Sequence, residues 1–98
     1  MIGRVPIALP WYRRGDYPLL LALFSDPQNL PESFEAWLQH AEHVEKQLQG
    51  VGFAVVRISI LPQPFATWCR ERGVSADQRA RLTFANEAAR AHHSRLDG

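Results

Sequence analysis

Residues 33–61 read SFEAWLQHAEHVEKQLQGVGFAVVRISIL, and this stretch decides the fold. From Phe34 to Gln49 the apolar residues other than Ala36 fall at Phe34, Trp37, Leu38, Ala41, Val44 and Leu48. Steps of three and four place all of them on one helical stripe, so the spacing predicts an amphipathic helix. Ser33 is placed to cap it, with Glu32 and Glu35 near its positive end. Gly50 is expected to end it by taking a positive φ. Phe53 to Leu61 follows, rich in β-branched residues and bounded by Pro62, and predicts the best strand of the chain.

Working outward, Val5 to Leu9 reads as a short strand. Pro6 cannot donate to a ladder, so it belongs at an edge or at a strand start. A loop, Pro10 to Gly15, leads to a short helix, Tyr17 to Ser25, with Asp16 as its expected cap. The run Leu19 to Phe24 is apolar nearly all round, which predicts a helix buried on more than one side. Residues 26–31 form a turn. Beyond the main strand, Pro64 to Arg72 is expected to be a helix with Phe65, Trp68 and Cys69 facing inward and Gly73 closing it. Ser75 and Gln78 match a capping box, with Val74 as its hydrophobic staple, for a fourth, Ala-rich helix reaching about Arg90. The fold class is therefore α+β, in the order β-α-α-β-α-α. The helices are expected to pack on one face of a very small sheet, two-stranded per chain. Residues 1–91 make one small globular domain, and 92–98 a frayed C-terminal tail.

Length and composition agree with one domain. The chain has 98 residues, 46% of them hydrophobic, with three Trp and five Phe. A chain of this size buries roughly two thirds of its unfolded surface. Net charge is +1, so no global field draws nucleic acid or an anionic membrane. Residues 1–56 carry about −2 and residues 57–98 about +3. A single cysteine, Cys69, precludes an internal disulfide and suits a reducing compartment. No signal peptide is expected at Met1 to Pro6, and the longest apolar run, Pro18 to Phe24, is too short to span a bilayer. A cytoplasmic protein with no membrane association is the expectation.

The candidate binding residues are Trp11, Tyr12, Arg13 and Arg14, on a loop between a strand and a helix. Arginine forks onto carboxylate or phosphate, and the neighbouring rings offer stacking surfaces. Against this, Trp11 and Tyr17 suit a core, and the two arginines a solvated turn. His40 with His43 is spaced for chelation but lacks the further ligands a structural metal site needs, and His92-His93 points two ways. Cys69 fits core packing better than nucleophilic chemistry. Arg70, Arg72, Arg79, Arg81, Arg90 and Arg95 are interrupted by Glu71, Asp77 and Glu87, which favours a solvated face over a nucleic-acid surface. No phosphate loop, Gly-x-Ser-x-Gly turn or carboxylate dyad occurs, and neither a cofactor nor a metal is implied.

Ile7-x-Leu-Pro-Trp-Tyr12, Asp16-Tyr17 with Leu20 to Phe24, and Leu30-Pro31 with Phe34, Trp37-Leu38 and Ala41-Glu42 together resemble small bacterial proteins of unknown function. The resemblance implies a bacterial cytoplasmic origin and no activity. Three functions remain in order: a protein–protein interaction or regulatory module acting as a homodimer; a nucleic-acid or anionic-ligand binder using Trp11 to Arg14; and, last, an enzyme.

Overall fold

The computed structural model describes residues 4–97, with side chains as far as residue 91. Strand β1 (Val5–Trp11) and strand β2 (Phe53–Ser59) form a two-stranded parallel sheet, in register from Val5 opposite Phe53 to Trp11 opposite Ser59. Between them lie helices α1 (Tyr17–Leu23) and α2 (Phe34–Gly50); after them come α3 (Pro62–Arg72) and α4 (Gln78–Asp97). The expected α+β order is the observed one. Parallel pairing follows from the connection, since parallel neighbours need a long crossover, which the two intervening helices supply.

Pro6 and Pro10 both lie within the paired length of β1. The Ile60 N–H donates to the Trp11 carbonyl at 2.9 Å, so the odd-numbered residues of β1 point their peptide groups at β2. The even-numbered residues, both prolines among them, point theirs away, and the missing donors cost the ladder nothing.

Several terminators differ from expectation. Ser33 does cap α2, its Oγ accepting the Ala36 N–H at 3.1 Å. Gly50, however, is the last helical residue, and the positive φ (+104°) falls at Gly52, where the chain turns into β2. Asp16 makes no side-chain cap. It ends a 3-10 turn, Arg14–Asp16, which runs straight into α1, with the Tyr17 N–H already satisfied by the Arg14 carbonyl. Gly73 closes α3 at φ +64°, as its position predicts. At α4 the cap is Asp77, whose Oδ1 accepts the Ala80 N–H at 2.9 Å, and not Ser75; Val74 is exposed instead of stapled. The backbone of α4 continues past Arg90 to Asp97. The fraying expected over 92–98 falls on residues whose side chains lie outside the described set.

The core is a continuous chain of aromatic rings. Trp37 sits at one end, with ring centroids 5.2 Å from Trp11, 4.7 Å from Tyr12, 6.0 Å from Tyr17 and 5.4 Å from Phe34. Tyr12 leads to Phe24 at 5.6 Å, Phe24 to Phe65 at 5.9 Å, and Phe65 to Phe84 at 5.4 Å. Every helix contributes to this chain. Packing reaches both faces of the ribbon: Trp11 lies against Trp37 of α2, while Ala8, on the opposite side of the pleat, is also buried.

Because Trp37 is buried and touches four other rings, Trp37→Ala is expected to destabilise the protein by about 3–5 kcal/mol. Chemical denaturation followed by circular dichroism measures this. A midpoint unchanged from the wild type would contradict the central place given to Trp37.

Candidate functional site

The expected loop is shorter than the sequence suggested, since Pro10 and Trp11 belong to β1 and Arg14 opens the 3-10 turn, and the four candidate residues fall into two environments. Tyr12 is 4% exposed and Trp11 half-buried, so neither ring stands free to stack on a ligand. Burial pushes the Tyr12 phenol up to about 12, an effect the nearby Arg81 guanidinium partly opposes. Trp11 carries the Arg57 guanidinium on its other side, 3.9 Å from the ring centroid, and Arg57 in turn forks onto Glu45 of α2 at 2.8 and 2.7 Å. Arg14 is ion-paired with Glu35 and lies over the Phe34 ring at 4.8 Å. Arg13 is exposed. The structure therefore brings Trp11 and Tyr12 together inside and leaves the two arginines outside, one of them already neutralised.

The same end of β1 opens into a groove of about 290 Å³ between α2 and α4. Leu9 and Trp11 contribute its floor, His40 and Val44 one wall, Gln78 and Leu82 the other. The carboxyl end of a parallel strand is where such folds usually bind ligands. The one arginine among its described lining residues is committed elsewhere. Arg81 is 4% exposed. It donates to Asp26 at 2.7 and 3.2 Å and lies 4.3 Å from the centroid of Phe24.

This Asp26–Arg81 pair is the feature that sequence reasoning missed, since Arg81 was expected on a solvated face. Asp26 also accepts the Gln78 N–H at 3.2 Å, and the Ser25 N–H donates to the Ala76 carbonyl at 2.9 Å. Residues 25 and 26 thus hold the start of α4 from across the fold. The hydrogen bonds from Arg81 hold the Asp26 carboxyl below its usual range. A signal did exist: Arg81 lies on the stripe Ala80, Phe84 and Ala85, and a charge inside an apolar stripe calls for a buried partner.

The remaining candidates are structural too. Arg72 forks onto Glu87 at 2.7 and 2.6 Å and covers Trp68, whose indole N–H also reaches Glu87 at 3.1 Å. A second cleft, of about 420 Å³, is bordered by Trp68, Arg72, Asp77 and Arg79, of which Arg72 and Asp77 are already engaged. Cys69 is buried, and burial first, with Asp77 second, pushes its thiol up, away from nucleophilic reactivity. His40 and His43 are exposed on α2. Among the described residues no three His, Cys, Asp or Glu side chains stand together in a way that would hold a metal ion. The pair His92-His93 lies outside the residues whose side chains are described.

Three outcomes follow from these environments. Arg81→Ala is expected to cost about 3 kcal/mol, because it strands a part-buried carboxylate. Asp26 has a depressed folded pKa, so its contribution is present above the unfolded carboxyl value near 4 and is lost as pH falls through the folded value. Asp26→Asn should therefore lower stability at neutral pH and flatten the acid limb of the stability curve below about pH 4. A parallel pH profile would contradict the assignment. In the native protein Cys69 should also resist a thiol reagent that modifies it fully after denaturation; equal rates would show the thiol accessible.

Comparison with protein-family models, with curated proteins and with solved structures returns no match, so any function assigned to this groove, loop or strand edge rests on the chain itself.

Proposed function

We propose that this chain is a small protein–protein interaction or regulatory module that works as a homo-oligomer. The supporting observation is the outer edge of β2. Ile60 bonds toward β1, so the even-numbered residues of β2 face β1 and the odd-numbered ones face away. Phe53, Val55, Arg57 and Ser59 thus direct their N–H and C=O groups outward, and among the described residues none of these groups has a hydrogen-bond partner. A strand this apolar with an open edge invites another strand, and strand addition is a common mode of protein recognition.

The rest of the surface supports the same reading. Four of the arginines that could have contributed to an anion site, Arg14, Arg57, Arg72 and Arg81, are spent on Glu35, Glu45, Glu87 and Asp26. Among the described residues no helix is long and apolar enough to cross a membrane. One reduced thiol suits a bacterial cytoplasmic setting, which belongs to the proposal.

Size-exclusion chromatography with light scattering at micromolar concentration tests the reading. A mass about twice 11.1 kDa is expected, and 11.1 kDa at every concentration would overturn it. Heparin chromatography across a salt series tests the alternative of a nucleic-acid or anionic ligand bound by Trp11 to Arg14. Elution without steep salt dependence is expected, and firm, salt-sensitive retention would favour the alternative.

A further inference from the structure

The two edges of the sheet are not equivalent. On β1 the outward residues are Pro6, Ala8 and Pro10, so Ala8 alone among them offers an N–H to an added strand. On β2 the outward residues are Phe53, Val55, Arg57 and Ser59, each with both donor and acceptor. We infer that the partner is a second copy of the chain, joined through β2 alone, antiparallel about a two-fold axis centred on Val56. This rests on the homo-oligomer reading above and specifies its surface and register.

The register follows from the residues. A two-fold axis in the sheet edge makes the two β2 strands antiparallel. Centring on Arg57 would place Phe53 opposite Leu61, which lies outside the strand at the N-cap of α3. Centring on Val55 would place Ser59 opposite Val51, which lies outside the strand at the C-cap of α2. Centring on Val56 overlaps the whole of both strands. It pairs Phe53 with Ser59 of the partner copy and Val55 with its Arg57, and every outward N–H and C=O then finds a mate. Arg57 brings no unpaired charge into this arrangement, because Glu45 already neutralises it from α2. The ribbon becomes a four-stranded sheet β1-β2-β2-β1 with a proline-bearing strand at each margin. Such a strand ends a sheet well, since it resists further addition.

The register is tested by cross-linking. With Cys69→Ala in the background, Val56→Cys places two thiols at a directly opposed, non-hydrogen-bonded position, where cross-strand Cβ atoms lie about 5 Å apart. Mild oxidation is expected to give a covalent dimer in high yield, while Val55→Cys and Arg57→Cys, each offset from its own copy, give little. Val55→Pro removes one outward N–H from each copy without touching the β1 ladder, and should raise the dimer dissociation constant roughly tenfold or more. A wild-type protein that is monomeric overturns the homo-oligomer reading itself. A wild-type dimer that survives in folded Val55→Pro, or that cross-links at 55 or 57 in preference to 56, overturns this edge or register and leaves the homo-oligomer standing. Should Val55→Pro lose its circular dichroism signal, the Val56→Cys yield decides alone.

Discussion

A ribbon of two strands cannot hold itself together in water, and the rest of this structure answers that constraint. The sheet contributes little buried surface of its own: Ala8 is the one residue of its two strands that is buried. What the strands do instead is carry the residues that helices can grip. Trp11, at the end of β1, lies against Trp37, and Tyr12 directly after it reaches Phe24. From there the rings continue through Phe65 to Trp68 and Phe84. Edge-to-face contacts recur along this chain, the geometry in which ring quadrupoles attract, so the aromatics add directional preference to the area they bury.

Among the described residues the aromatic chain reaches α4 through Phe84, and apart from Leu82 the other apolar residues of α4 there are alanines. A helix with so few large apolar residues is weakly anchored by burial alone. Its first turn is held instead by polar contacts from the turn after α1: Asp26 on Arg81 and on the Gln78 N–H, and Ser25 on Ala76. Burying a guanidinium is costly, and the attraction to one carboxylate seldom does more than offset it. The arrangement is better understood as fixing orientation. Two parallel hydrogen bonds, a ring face on Phe24 and a peptide N–H define one seat for α4, where sliding alanines would define several.

What the amino-acid sequence made legible were the features set by local rules. The stripe from Phe34 to Leu48, the Ser33 cap and the left-handed Gly73 each depend on neighbours within a turn or two, and each is present. The departures have non-local causes. Ser75 fits a capping box, yet Asp77 caps, because Asp26, far away in sequence, also binds the first turn of α4. Gly50 and Gly52 are equally good terminators locally, and the direction of β2 selects Gly52 for the positive φ. Arg81 looked solvated because its partner lies far off along the chain. For the candidate site the same division holds: a turn between β1 and α1 was legible, but Pro10 and Trp11 belong to the strand, and whether Trp11 and Tyr12 faced outward or into the core depended on where α2 packed.

The prolines of β1 carry a further lesson about edges. Pro6 by itself suggested a weak strand, but the ladder is intact because both prolines point outward. Two prolines spaced by four, always on the same side of the pleat, leave one margin of the sheet poor in donors while the other keeps a full set. If both margins were meant to stay bare, β2 would be expected to carry a comparable device, such as a proline or an inward-pointing charge. It has neither: its single charge, Arg57, is neutralised by Glu45 and laid flat on Trp11. The asymmetry thus separates a margin protected against addition from one left receptive to it, and it does so through backbone chemistry alone.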